Sequence, residues 1–277
     1  GASLNAAQQR ALGTQAATAT LANVSVTVDG AAASYPAGSV RASVPVRAAD
    51  DLTAWSLAED GTISAAGGAW DAQQQTYAFD VISGVTAIAR FPFADVPAGS
   101  WYYGAAAYAY NNGLFAGTTA TTFAPDMTMT RAMLVSVLWR LAGEPAPKGA
   151  NTFDDVPDGA WYTDAVTWAA ENGVVAGIGN GRFDPSGAVT REQTAVILFN
   201  YAQSKGYDVS ARADLSAFPD AGSVSGWAQE ALAWANASGL ISGAVRGTQT
   251  ILDPQGSASR AQVAMILMGY VEHVVNA

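Results

Sequence analysis

Thr190-Arg191-Glu192-Gln193 decides how this 277-residue chain is read, together with Thr130-Arg131-Ala132-Met133 and Ser259-Arg260-Ala261-Gln262. Each is the first turn of an apolar helix: a hydroxyl residue, an arginine, then residues such as Val135, Val137 and Leu138. A Thr or Ser at the N-cap accepts from the otherwise unpaired N–H groups of the first turn. Gln193 and Gln262 complete a capping box, and Met133 does not. The arginine is the odd residue. A cation at the positive end of a helix dipole costs a few tenths of a kcal/mol, so three arginines at matching positions require a reason.

Outward from these turns the chain repeats itself. Phe93-Ala94-Asp95-Val96-Pro97 matches Phe153-Asp154-Asp155-Val156-Pro157 at an offset of 60, and Trp101, Gly113, Gly117, Phe123 and Thr130 find Trp161, Gly173, Gly177, Phe183 and Thr190 at the same offset. A third copy runs through Phe218-Pro219-Asp220, Trp227, Gly239, Gly243, Leu252-Asp253-Pro254 and Ser259. Its interval from Trp227 to Ser259 is 32 residues against 29 in the others, which places an insertion near Arg246 to Thr250. Each copy reads as helix, loop, helix. Trp161, Ala165, Trp168 and Ala169 fall on one helical face, and Gly113, Gly173 and Gly239 sit where a left-handed C-terminal cap belongs. The second helices are apolar on most faces (Val196, Ile197, Leu198, Phe199), which predicts burial on several sides. A lone helix pair cannot bury such a face, so the three copies are expected to close around one another.

Residues 4 to 12 read as a short helix or a frayed lead-in, and from Leu21 the pattern becomes alternating. Val24, Val26 and Val28, then Val40, Ala42, Val44 and Val46, then Tyr77, Phe79 and Val81 each share a face. Asp29-Gly30, Asp60-Gly61 and Gly67-Gly68 are turn signals. Trp55 and Trp70 line a binding face or, as the plainer reading, pack in the core or a hairpin. The expected fold is therefore α+β and multidomain. An antiparallel, Ig-like or sandwich-like β domain occupies 1–91, with repeats at 92–150, 151–212 and 213–277 forming an all-α pseudo-threefold unit around a central three-helix bundle.

Composition removes several function classes. A net charge of −10 with thirteen Lys and Arg is wrong for nucleic acid, whose binding rests on clustered cations. It is equally wrong for an anionic membrane surface. No apolar run reaches the roughly 18 residues of a membrane span. With no cysteine there are no disulfides or thiolate metal sites. The start Gly1-Ala2-Ser3 reads as a cloning remnant or an excised-fragment end, with any leader removed or upstream. The only histidine is His273, read as an exposed or packed helix residue, and no Ser-His-Asp set, phosphate loop or calcium loop is present. The Asp154-Asp155 pair is no acid–base dyad, because sequence neighbours seldom face each other and the other copies lack it. No catalytic residue, metal or cofactor is expected.

The elements Phe-x-Asp-Val-Pro, Trp-Tyr, Asn-Gly-Val-Val-x-Gly, Phe-x-Pro and Thr-Arg, spread over residues 93 to about 270, resemble the S-layer homology domain in three copies. The resemblance implies a three-pronged fold with one long helix of each repeat in a central bundle. It implies non-covalent attachment of an extracellular protein to the bacterial cell wall through secondary cell-wall polysaccharide, typically pyruvylated. The segment before the repeats loosely resembles the small β modules of bacterial surface proteins. The family signature Thr-Arg-Ala-Glu lacks its Glu in every copy, with Met133, Gln193 and Gln262 in its place, and the third copy has Ala221-Gly222 for Val-Pro.

The residues themselves fit such a ligand. A first-turn Arg131, Arg191 or Arg260 beside exposed N–H groups makes an anion site, and a guanidinium holds a pyruvate carboxylate bidentately. Trp101, Trp161 and Trp227 offer stacking faces for sugar rings, and Asp95, Asp155 and Asp220 accept hydroxyls. Gly117, Gly177 and Gly243 admit a ligand close to the backbone. Each has a structural counterpart: an Arg–Asp ion pair, an Asp cap on the helix that begins at the Trp, a Trp packed inward, a Gly serving turn geometry. If one groove alone binds, the one using Arg191 is expected. The chain is expected to be a non-catalytic monomer closed as an intramolecular pseudo-trimer. The rival is a structural or protein-interaction module that has lost sugar binding.

Overall fold

A computed structural model describes residues 2–28, 31–33, 36, 39–46, 52–71, 73–82 and 84–276. The chain forms two compact units, Gly1–Ala124 and Pro125–Ala277.

The first unit opens with α1 (Ala6–Leu12), whose start is held by a capping box between Asn5 and Gln8. Nine short strands follow among the described residues: β1 (Thr20–Ala22), β2 (Val26–Val28), β3 (Ala31–Ala33), β4 (Val40–Pro45), β5 (Leu52–Leu57), β6 (Ile63–Ala65), β7 (Ala69–Asp71), β8 (Thr76–Val81) and β9 (Val85–Arg90). They pair antiparallel as a four-stranded sheet β1-β9-β5-β6, a three-stranded sheet β4-β8-β7 and a β2-β3 hairpin. The expected alternation is seen along β8, where Tyr77, Phe79 and Val81 are buried and their neighbours are half-buried. These three meet Ala22, Ala54 and Ile88 of the other sheet in one core, so the two sheets pack face to face. Asp60-Gly61 forms its turn, with Gly61 at φ +91° and the Thr62 N–H donating to Asp60 Oδ1 at 2.9 Å. Asp29-Gly30 lies outside the described residues.

Trp55 is fully buried and donates Nε1–H to Tyr103 Oη at 2.9 Å, and Trp70 packs half-buried on the same core. Both take the plainer of their two readings. Tyr103 opens α2 (Tyr103–Asn111), the first helix of the first repeat. Gly104 lets α2 lie against β6, because a Cβ there would stand 2.8 Å from the Ile63 carbonyl oxygen.

The second unit holds α3 (Arg131–Leu141), α4 (Thr163–Glu171), α5 (Arg191–Lys205), α6 (Gln229–Ala237), β10 (Ala244–Arg246), β11 (Gln249–Ile251) and α7 (Arg260–Tyr270). Gly173 and Gly239 end α4 and α6 at φ +67° and +71°, as Gly113 ends α2 at +68°. Val174 and Leu240 then donate back to the carbonyls of Ala169 and Ala235, the hydrogen bond of a Schellman cap. His273 lies on the turn after α7, its Nδ1 3.1 Å from the Ser238 carbonyl oxygen at the end of α6.

The expected all-α unit is not what forms, because the repeats contain strands. The insertion of the third copy folds as the β10-β11 hairpin, pairing Ala244 with Ile251 and Arg246 with Gln249. Its sequence explains why: Val245, Thr250 and Ile251 are β-branched, and Gly247 takes φ +61° at the turn. Extended backbone also precedes each long helix, where Thr130 bridges Ala188, Thr190 bridges Ser257 and Thr128 bridges Ser259.

Those bridges close a ring. Val189 N–H donates to the Met129 carbonyl at 3.0 Å, Ala258 N–H to Val189 at 3.1 Å, and Met129 N–H to Ala258 at 2.9 Å. All three residues are fully buried. At the far end of the helices Tyr201, Trp234 and Tyr270 form an aromatic cluster, with Tyr201 and Tyr270 5.8 Å apart and Trp234 and Tyr270 6.5 Å apart. Burial pushes the Tyr201 phenol up to about 12 and raises that of Tyr270 as well. The Tyr270 hydroxyl is buried with no hydrogen-bond partner among the described residues. Removing an unsatisfied hydroxyl while keeping the ring relieves a desolvation cost of roughly 1–3 kcal/mol. Tyr270→Phe is therefore expected to raise or preserve stability in urea unfolding, and a clear loss would contradict this packing.

Candidate functional site

The first-turn N–H groups that would make an anion site are not exposed. In α3 the N–H of Arg131 donates to the Gly187 carbonyl at 2.9 Å, that of Ala132 to Pro185 at 3.1 Å, and that of Met133 to Thr130 Oγ1 at 3.2 Å. In α5 the partners are Gly256, Pro254 and Thr190, and in α7 they are Met127, Pro125 and Ser259. Every long helix thus begins against carbonyls of the next repeat, which answer its positive end. The arginines extend the same contact. Arg131 donates Nε–H to the Phe183 carbonyl at 2.8 Å and Nη to Ala176 at 3.1 Å, and lies 4.7 Å above the Phe183 ring. Arg191 donates Nε–H to the Leu252 carbonyl at 2.8 Å, and its Nη2 is buried without an acceptor among the described residues. Arg260 is as buried as the other two. Burial lowers the pKa of Arg131 and Arg191, opposed by Asp184 and Asp155 in one case and by Asp253 and Asp220 in the other.

The three aspartates clamp loops; they do not cap the helix that begins at the Trp. Asp95 accepts from the N–H groups of Phe123 and Ala124 at 2.8 and 2.7 Å, Asp155 from Phe183 and Asp184 at 2.7 and 2.8 Å, and Asp220 from Leu252 and Asp253 at 2.8 Å each. Ala124, Asp184 and Asp253 all take positive φ, of 57°, 61° and 50°. That left-handed step turns two successive N–H groups to one side and makes a concave anion seat, which the carboxylate fills. Asp155 also pairs with Arg182 at 3.5 Å. The glycines serve close packing. A Cβ on Gly117, Gly177 or Gly243 would strike the ring of Phe93, Phe153 or Phe218 at 2.6, 2.9 and 3.1 Å. The tryptophans face solvent: Trp101, Trp161 and Trp227 are 63%, 60% and 60% exposed.

One cavity, of 480 Å³, gathers three of these residues in the second unit. It is bordered by Arg131 of the first repeat, Gly177 of the second and Trp227 of the third, with Val196 and Ile197 as apolar wall and Gln193 and Asn200 as amide groups. Its lining does not include Arg191, Arg260, Trp161, Asp155, Asp220 or Gly243. Asp95, Trp101 and Gly117 belong to the first unit. Sequence reading missed Asn200 and Gln193 as cavity groups. Asn200 lies about two and a half turns beyond Arg191 on a helix otherwise rich in apolar residues, and that was the available signal. It also missed Glu192, a carboxylate only 2% exposed.

Residues 92–132, 152–195 and 217–264 match the profile of the S-layer homology domain. The three repeats belong to the S-layer homology family. S-layer homology domains are cell-wall anchoring modules that bind cell-wall polysaccharide. The chain is 32% identical over 162 residues to the surface-layer 125 kDa protein of Lysinibacillus sphaericus, covering 58% of this chain and 13% of that protein. It is 32% identical over 161 residues to an amylopullulanase of Thermoanaerobacterium thermosulfurigenes, covering 56% and 8%. Against an endoglucanase of Bacillus sp. strain KSM-635 it is 30% identical over 177 residues, covering 64% and 18%. The chain spans less than a fifth of the length of each. No helix among the described residues is long and apolar enough to cross a membrane.

The clamp of the second S-layer homology repeat carries a pH dependence. Burial pushes the Asp155 carboxyl up, but the N–H groups of Phe183 and Asp184 and the Arg182 side chain outweigh it, leaving the pKa below its ordinary 3.8. A lowered carboxyl pKa adds stability that is present above the unfolded value and lost as pH falls through the folded one. Asp155→Asn keeps one acceptor and loses the charge. It is expected to unfold at lower urea than the wild type near pH 7, and the two midpoints should converge as pH drops below about 4. A gap that stays constant with pH would contradict the clamp.

Proposed function

We propose that the chain attaches non-covalently to the bacterial cell wall, at the cell surface, by taking an anionic secondary cell-wall polysaccharide into the Arg131 cavity. Its own role is non-catalytic. The observation that carries the reading is the convergence of Arg131, Gly177 and Trp227, from three different repeats, on one cavity. Two of the five N–H donors of the Arg131 guanidinium are given to carbonyls, and the side chain borders the cavity beside an apolar wall. A ketal-linked pyruvate matches that pairing, since it carries a carboxylate and a methyl group on one carbon. The exposed face of Trp227 suits the apolar side of a sugar ring, and Gln193 and Asn200 suit its hydroxyls. Arg191 and Arg260 hold the same position in their own repeats and extend the proposal to the other grooves. With a net charge of −10 the general field repels an acidic polymer, so affinity comes from short-range contacts and little from steering.

The rival, a structural module without sugar binding, draws its support from the occupied first-turn N–H groups and from the internal packing of the glycines. Titration of the purified polysaccharide, intact and stripped of pyruvate, separates the two. Trp227→Ala changes an exposed position and should fold; it is expected to weaken binding by about tenfold, roughly 1.4 kcal/mol. Removing pyruvate from the polymer should do at least as much, and Arg131→Ala more. The Arg131, Arg191 and Arg260 triple alanine variant should not be retained by the polymer. Equal binding of intact and stripped polymer sinks the anionic-ligand reading, and no binding by the wild type favours the structural module.

A further inference from the structure

The third repeat departs from the other two just before its exposed tryptophan. In the second repeat five residues lead from Val156 to Trp161 and include Pro157, whose carbonyl accepts the Ala160 N–H and the Thr163 hydroxyl. In the first repeat the Pro97 carbonyl accepts the N–H and the hydroxyl of Ser100. Trp101 and Trp161 also pack edge-to-face on Tyr102 and Tyr162, at 5.2 and 5.1 Å between ring centres. The third repeat keeps a turn of this kind, the Asp220 carbonyl accepting the N–H and hydroxyl of Ser223 at 2.9 and 2.7 Å, but without the proline or the tyrosine. It has Ala221-Gly222 in place of the Val-Pro pair, and Ala228 stands where the tyrosine would.

Glu192 occupies the gap. Its carboxylate accepts the N–H of Ser225 at 3.1 Å, the hydroxyl of Ser225 at 2.9 Å and Gln255 Nε2–H at 2.7 Å. Ser225 lies two residues before Trp227, and its own carbonyl accepts the Ala228 N–H at 2.8 Å. The matching residues of the other long helices are Ala132 and Ala261, both buried. The carboxylate is therefore present only where the tryptophan lacks its proline and tyrosine supports. We propose that Glu192 is a positioning residue for the candidate site: by holding Ser225 it places Trp227 on the Arg131 cavity. Its place in binding rests on the reading of that cavity as the polysaccharide site.

The test uses the full chain with 5-fluorotryptophan incorporated, the ¹⁹F resonance of Trp227 being assigned by its loss in Trp227→Phe. Glu192→Ala installs the residue that the fold already accepts at 132 and 261, so it should fold. Without ligand, the Trp227 resonance is expected to move or broaden in Glu192→Ala and in Ser225→Ala, while the fully buried Trp55 resonance stays in place. Affinity for the purified polysaccharide should fall by about tenfold in Glu192→Ala. The double variant with Trp227→Ala should bind no more weakly than Trp227→Ala alone, because both remove one function. An unmoved Trp227 resonance in Glu192→Ala, or additive losses in the double variant, overturns the proposal. If the wild type does not bind the polymer, the cavity reading fails, and the ligand-free resonance still decides whether Glu192 sets the ring.

Discussion

The long helices depend on one supply of hydrogen bonds. A helix leaves its first N–H groups without internal partners, and burying them unpaired costs roughly 1–3 kcal/mol each. In the second unit each long helix meets that need with carbonyls of the next repeat: Pro185 and Gly187 for α3, Pro254 and Gly256 for α5, Pro125 and Met127 for α7. The mutual bonds of Met129, Val189 and Ala258 close the circuit. The debt passes from repeat to repeat and returns to the first. A chain with one repeat removed would leave buried donors open at one helix and carbonyls unmet at another, which is why the repeats work as a set.

The arginine belongs to the same constraint. Its guanidinium reaches past the helix start to the Phe183 or Leu252 carbonyl, one residue before the left-handed step that the neighbouring aspartate stabilises. Dipole repulsion at the helix start is small beside charge-assisted hydrogen bonds made out of water. The cavity next to Arg131 is a by-product of this geometry. Where a helix of one repeat, a loop of a second and a tryptophan of a third converge, an arginine that joins repeats also borders open space.

The repeats share a pattern without being equal. The second follows it most fully. The third trades a proline and a tyrosine for the Glu192 contact, and its insertion becomes a hairpin whose Arg246 pairs with Asp253 at 3.1 Å. Arg246 is also among the charges that depress Arg191, so the surroundings of Arg191 and Arg131 differ although their sequence motifs match.

The sequence by itself determined the three repeats, the helix starts at Thr130, Thr190 and Ser259, the left-handed glycine caps, and the antiparallel strands before them. These are local matters: a hydroxyl that reaches its own helix, a glycine free at positive φ, an alternation of period two. It also located the insertion at Arg246 to Thr250, but not that Ala244–Arg246 and Gln249–Ile251 would pair as strands across it, since a short run of this kind is equally a loop until the fold brings its ends together. Whether Asp155 caps a helix or clamps a loop, and whether the arginines see solvent or carbonyls, was decided only by tertiary structure. Phe183 and Asp184 lie 28 and 29 residues beyond Asp155, and Phe183 lies 52 beyond Arg131. No pattern of short period encodes which carbonyl will stand opposite a side chain at that distance. That choice is made when three repeats close on one another and each unpaired donor must find its acceptor.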